Sequence, residues 1–271
     1  MILETKRITK LWGVDVLPAP FVGEEAGQRI GEIWFDPPPT LNQLLVKYIF
    51  TSEALSVQVH PSDTQTLADG MGLQGKEECW LILDAQPGAK LGIGFKGDIT
   101  AENMRNAAND GSIEDLMAWH VVEPGDFFYI PANTVHAIGA GVSLIEVQQN
   151  SDITFRLYDY GRPRDLHLES GLRIANLGLH DPNLRRRIPS TGHQILVDGP
   201  LFRLDRLDGE ATANVRDRYS GPLLVIPQDG ACLVADELVV AGRCALADDI
   251  DLLKIESDSK VLIAQSASMQ G

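Results

Sequence analysis

The chain has 271 residues, 44% of them hydrophobic, and a formal net charge of −15. That length builds one large domain or two modest ones. The acidic balance argues against nucleic acid and anionic membranes as main partners, because phosphate contacts need basic surface.

The N-terminal MILETKRITK lacks the apolar core of a signal peptide, and no apolar run approaches membrane-spanning length. The expectation is a cytoplasmic protein with neither membrane nor nucleic-acid partner. The cysteines, Cys79, Cys232 and Cys244, stand at unrelated spacings, giving neither a zinc-cluster pattern nor a disulfide framework.

Strand-like runs follow in chain order: LLVKYIF at 44–50, LSVQVH at 55–60, CWLILDA at 79–85, AKLGIGF at 89–95, DFFYIPA at 126–132, SLIEVQQ at 143–149 and ITFRLYD at 153–159. Pro and Gly separate many of them, as in DAQPGAK and VEPGD. Short strands at this density predict a mainly β sandwich or barrel. One stretch differs. TAENMRNAANDGSIEDLMAW at 100–119 is helical in character, with Ser112 and Asp115 at capping-box spacing, and predicts two short helices inserted between strands. From about 175 to 192 the chain is polar and irregular, and Arg185, Arg186 and Arg187 read as part of a solvated linker, with a phosphate site as the alternative. Strand-like runs then resume in PLFRLDRL, GPLLVIPQ, ACLVADELVV, CALA and KVLIAQS. No histidine follows His193, so this last part is expected to be a second, metal-free β domain.

Two of the six histidines sit in informative contexts. In LSVQVHPSD, strand alternation puts Ser56, Gln58 and His60 on one face and Val57 and Val59 on the other. In EPGDFFYIPANTVHAI, Gly125, Pro131 and Asn133 supply turn chemistry that delivers His136 to a strand entrance. Between them, Glu77 and Glu78 open the strand of GKEECWLIL on opposite faces. Gln58, His60, one of these glutamates and His136 make an N2O2 donor set that suits zinc with open positions, and manganese or iron would also fit.

These segments resemble the cupin motifs, and more closely those of the type I mannose-6-phosphate isomerase family. LWG near the start, LVKYIFTSEALSVQVHPSD, GKEECWLILDAQPGA and VEPGDFFYIPANTVHAIGAGVSLIEVQQNSDITFRLYDYGR carry the match, in family order, over about residues 11–162. The C-terminal third matches only weakly. Only the 100–119 insert stands where longer members carry a large helical domain, so the chain resembles the short bacterial form. The resemblance implies two cupin-like jelly-roll sandwich domains. A catalytic one spans 1–175 with its helical insert at about 100–119, a linker spans 176–192, and a metal-free one spans 193–271.

By the same resemblance Gln58, His60, Glu78 and His136 hold one zinc ion per chain. Glu77 stands where the family usually has Thr or Pro. The family reaction interconverts mannose 6-phosphate and fructose 6-phosphate by moving a proton between C1 and C2 through an enediol. Arg156 in SDITFR matches the catalytic arginine and either holds the enediolate or positions the phosphate; pairing with Asp159 is the alternative. Asp152 matches a family aspartate. Glu146 is a base candidate or a partner to a ligand histidine. Lys47 and Lys76 match lysines near the sugar, with Ser56 and Lys47 as phosphate contacts, and Lys76 could instead pair with Glu77 or Glu78. The partner is then a small sugar phosphate, and the protein a monomer or homodimer. The competing functions are another metal-cupin enzyme, of epimerase or dioxygenase type, and a non-catalytic sugar-phosphate-binding cupin.

Overall fold

A computed structural model describes residues 1–21 and 27–267. The fold is mainly β, 43% strand and 16% helix, as the density of short strands predicts. The first part of the chain supplies β1 (Thr5–Val14), β2 (Ile30–Phe35), β3 (Leu44–Phe50), β4 (Val57–Val59), β5 (Glu78–Ala85), β6 (Lys90–Phe95), β7 (Met117–Val121), β8 (Asp126–Ile130), β9 (His136–Ile138), β10 (Val142–Gln149), β11 (Phe155–Tyr158) and β12 (Arg185–Arg187). These form a seven-stranded sheet, β1-β2-β3-β10-β5-β8-β12, and a five-stranded sheet, β11-β4-β9-β6-β7.

The rest supplies β13 (Gln194–Asp198), β14 (Phe202–Asp208), β15 (Leu223–Asp229), β16 (Ala231–Val234), β17 (Glu237–Val240), β18 (Ala245–Ala247), β19 (Leu253–Ile255) and β20 (Lys260–Ser266). They form a second pair of sheets, β13-β14-β20-β15-β18 and β17-β16-β19. The short helices are α1 (Asp63–Ala68), α2 (Ala101–Asp110), α3 (Ile113–Leu116), α4 (Leu168–Ile174) and α5 (Ala213–Arg216). Among the described residues no helix is long and apolar enough to cross a membrane.

The seven-stranded sheet is covered on both faces, which is why LLVKYIF is a nearly continuous apolar run and all seven of its residues are buried. Val46, Tyr48, Leu81 and Val147 pack on one face against Phe202, Leu204, Leu224 and Leu262 of the C-terminal sheet. Ile49, Trp80, Ile82 and Leu144 pack on the other against Leu91, Ile93 and Ile138 of the five-stranded sheet. That second face changes character along the strands. At one end it carries Ile49, Leu144 and Ile82; at the other it carries the buried Lys47, Glu146, Gln148 and Glu78. A polar island inside an apolar sandwich marks the site, because buried polar groups persist only where they are partnered or used. The outer face of the five-stranded sheet meets the helices: Val57 and Val59 join Met104, Ala107, Ile113 and Ile174.

Several local expectations change. The helical stretch ends at Leu116, and residues 117–119 belong to β7. Ser112 makes no capping bond, because its N–H and hydroxyl both donate to Asp110 Oδ1, at 2.9 and 2.6 Å. The capping box that does form joins Ser62 and Gln65 at α1. The three arginines expected in a solvated linker form the exposed edge strand β12, paired with β8. β1 and β2, read from no apolar run, pair with each other, and β2 pairs with β3.

Candidate metal centre and active-site cavity

Gln58 lies directly opposite His136 in the β4–β9 pairing, and Arg156 on β11 lies opposite Gln58 on β4's other side. In the seven-stranded sheet Glu146 stands between Lys47 on β3 and Trp80 on β5, and Gln148 stands opposite Glu78. The loops then bring up the rest. Asn133 adopts φ 70°, a turn conformation that asparagine tolerates. Its backbone and side-chain N–H groups both donate to His60 O, at 2.8 and 3.2 Å, tying the β8–β9 turn to the end of β4. Gly75 precedes Lys76 where a Cβ would meet Pro61 O at 2.3 Å, so only glycine lets this loop close against the histidine segment.

His60, Glu78 and His136 are buried and offer ligand atoms that all lie within 4.8 Å of one another. The Nδ1–H of His60 donates to Ile153 O and that of His136 to Thr134 O, each at 2.9 Å. Both rings therefore turn a bare Nε2 toward Glu78, whose oxygens lie 3.7 Å from His60 Nε2 and 3.3 Å from His136 Nε2. Burial, and then the charge of Lys76, hold the His60 pKa well below the ordinary imidazole value. Burial lowers His136 to about 4 against the pull of the Thr134 carbonyl. Neutral imidazoles with Nδ1 anchored on carbonyls are the form in which histidine binds a metal.

Glu78 provides the test of fit. Neither of its buried oxygens accepts a well-aligned hydrogen bond, although Oε2 lies 2.7 Å from Lys76 Nζ. Burial and the neighbouring Glu146 raise its pKa to about 7. A buried carboxylate this poorly satisfied calls for a cation. Lys76 supplies one in part, with Nζ 3.1 Å from His60 Nε2. The two imidazole nitrogens and the carboxylate fit a borderline divalent metal such as zinc. Gln58 Nε2 lies 3.2 Å from His136 Nε2, so its amide stands at the edge of the same group.

Above this cluster opens a cavity of about 460 Å³. Its wall includes Ser56, Gln58, Lys47, Lys76, Glu146, Asp152 and Arg156, so the site residues proposed from the sequence gather at one place, with His60, Glu78 and His136 beneath. Lys47 Nζ sits 3.0 Å from Glu146 Oε1 and 2.5 Å from Gln148 Oε1, and 4.8 Å from the Trp34 ring centroid. Trp80 Nε1 donates to the other Glu146 oxygen at 2.9 Å. Burial opposes the Glu146 charge, but Lys47 and Lys76 outweigh it and hold the carboxyl well below its usual range. Asp159 pairs with Arg162 and Arg164, not with Arg156, whose guanidinium makes no ion pair among the described residues.

No protein-family model matches the chain. It is 42% identical over 209 residues to a mannose-6-phosphate isomerase of Bacillus subtilis, covering 72% of this chain and 65% of that protein. It is 32% identical over 191 residues to a mannose-6-phosphate isomerase of Streptococcus mutans, covering 68% and 59%. The chain belongs to the type I mannose-6-phosphate isomerase family. The matches span less than two thirds of the length of these relatives. The crystal structure of the mannose 6-phosphate isomerase from Bacillus subtilis superposes with a TM-score of 0.80, covering 97% of this chain and 98% of that one at 23% identity. A zinc-bound mannose 6-phosphate isomerase superposes with a TM-score of 0.73, covering 98% of each at 14% identity. These likenesses establish the shared cupin-like β fold.

In this member of the type I family the cavity wall also holds Lys10, Glu32, Trp34 and Arg164, which the sequence motifs leave unmarked. Glu32 is buried, accepts from Trp34 Nε1 at 2.5 Å and pairs with Lys10 at 3.2 Å. The signal that could have found it is GEIWF at 31–35, an acid and a tryptophan two apart on one strand face.

Proposed function

We propose that this chain interconverts mannose 6-phosphate and fructose 6-phosphate through an enediol, with one zinc ion per chain held by Gln58, His60, Glu78 and His136. The observation that carries the reading is the convergence of two anchored, neutral histidines and an under-satisfied buried glutamate on the floor of a cavity whose wall holds Arg156, which has no ion-pair partner among the described residues. When bound, the metal supplies Lewis acidity toward substrate oxygens.

The chain's own groups do the rest. Arg156 offers a permanently charged fork to the oxygen on which charge develops. Lys76, beside Glu78 and His60, donates to the sugar oxygens at the same end. Glu146 is held on both oxygens and stays ionised, so it serves as a fixed negative charge that holds the Lys47 ammonium in place and attracts Lys76. Asp152 is the exposed carboxylate of the cavity wall and takes the proton-transfer role between C1 and C2. Ser56 and Lys47 face the sugar from the same wall. In this reading residues 1–175 together with β12, which completes their seven-stranded sheet, form the catalytic domain, the rest of 176–192 connects it, and 193–271 form a packing domain without metal ligands. The test is metal analysis of purified protein with an assay from fructose 6-phosphate to mannose 6-phosphate. Protein that carries zinc and turns over supports the reading; zinc-loaded protein without turnover overturns it.

A further inference from the structure

Asp159 is almost completely buried, 2% exposed, and holds two arginines. Arg164 meets it edge-on, Nε to Oδ2 and Nη2 to Oδ1, both at 2.6 Å, while Arg162 Nη1 lies 3.2 Å from Oδ1. The two arginines then part. Arg162 continues to Glu53, 3.1 Å away, and Arg164 lines the cavity beside Arg156. Burial, and next the charge of Arg164, lower the Arg156 pKa, so the two guanidiniums feel one another across the cavity wall. Asp159 is already shared by Arg162 and Arg164, so the two cations that face the cavity are stabilised further by a dianion. Arg164 spends its Nε–Nη2 edge on Asp159 and keeps Nη1 for a ligand. Its long side chain is fixed before a ligand arrives, which lowers the entropic cost of binding. Lys47, by contrast, is already engaged by Glu146 and Gln148.

We propose that Arg164, positioned by Asp159, is the phosphate-binding group of this cavity and sets its preference for sugars that end in a phosphate dianion. The inference rests on the reading of the cavity as a sugar-phosphate site and leaves Arg156 for charge at the reacting carbons.

The experiment reads two quantities: calorimetric binding of inorganic phosphate, which needs no turnover, and KM and kcat for fructose 6-phosphate. Arg164→Gln and Arg164→Lys are compared with Arg162→Gln, which removes an Asp159 partner but no cavity cation. Arg164→Lys keeps a cation beside Asp159 and so guards against simple unfolding. Arg164→Gln is expected to weaken phosphate binding and raise KM by about tenfold to a hundredfold, the worth of a charge-assisted hydrogen bond, with kcat near wild type. Arg164→Lys should show a smaller rise in the same direction, because a lysine cannot reproduce the fork. Arg162→Gln should leave both readouts near wild type. Unchanged phosphate binding and KM in both Arg164 variants overturns the proposal, and so does an equal loss in Arg162→Gln. If the wild type proves inactive on fructose 6-phosphate, the isomerase reading fails while the phosphate calorimetry still decides the role of Arg164.

Discussion

Gln58 and His136 face one another as a single residue pair across β4 and β9, and Gln58 Nε2 approaches His136 Nε2 to 3.2 Å. Antiparallel pairing therefore does part of the work of ligand placement. Strand alternation puts Gln58 inward and Val57 and Val59 against the helices, so a one-residue slip would bury the valines in the site and turn Gln58 out. The apolar packing of Val57 and Val59 with Met104 and Ile174 fixes the register, and the register fixes the donors.

Removal of one ligand histidine should separate metal from fold. His60→Ala and His136→Ala are expected to lose bound metal and activity together, since three remaining donors include only one imidazole. Both variants should stay folded, because the surrounding core is a large apolar one and His136 touches it mainly through the edge of Trp80. Elemental analysis beside circular dichroism checks this; full metal occupancy in His60→Ala contradicts the ligand assignment.

Metal uptake should release about one proton near pH 6, and Glu78 should be its source. Glu78 is raised to about 7, so it is largely protonated in metal-free protein at that pH and must ionise to bind a cation. His60 and His136 are shifted downward and are already neutral there, so they release none. Calorimetry of zinc binding in buffers of different ionisation enthalpy measures the count. Release near two or three protons would show that the histidines are charged before binding.

Glu146 gives the metal-free protein an acid-sensitive contribution. Its folded pKa is depressed, so its stabilisation is complete above the unfolded value of about 4.5 and is lost as pH falls through the folded value of about 2. Glu146→Gln should be less stable than wild type near neutrality, because Lys47 loses its carboxylate partner in a buried place. The gap in urea midpoint should close between pH about 4.5 and about 2. A constant gap across that range would show that Glu146 acts through packing alone.

Much of this site was legible in the sequence because Gln58, Glu78 and His136 sit on strands whose period is two and His60 follows directly on the end of β4. Gln58-x-His60 announces a shared face, and the turn before His136 announces a strand entrance. Glu78 could be separated from Glu77 only by resemblance; the structure puts them apart, with Glu77 accepting from Tyr129 on the far side of the strand. Lys10, Glu32 and Trp34 escaped notice because β1 carries mixed polarity along an exposed edge and β2 is short, so neither shows a clean pattern. Arg164 escaped because its placement depends on Asp159, a contact five residues long that only the folded turn after β11 creates.

Arg156 decides between two uses of one charge. Its guanidinium lines the cavity opposite Gln58, free of ion pairs among the described residues, while Asp159 is taken by Arg162 and Arg164. A group that stabilises the enediolate strengthens its interaction as charge develops, so its loss lowers kcat. A group that only grips the phosphate binds ground and transition states alike, so its loss raises KM and leaves kcat. Arg164 is fixed in place for the second task, and Arg156 is left for the first. Arg156→Lys keeps the charge and loses the planar two-point fork. The expected result is a fall in kcat of about a hundredfold to a thousandfold, the typical cost of one preorganised donor, with KM changed much less. Steady-state kinetics on fructose 6-phosphate measures both. A large rise in KM with kcat close to wild type would assign Arg156 to the phosphate and remove it from the transition state.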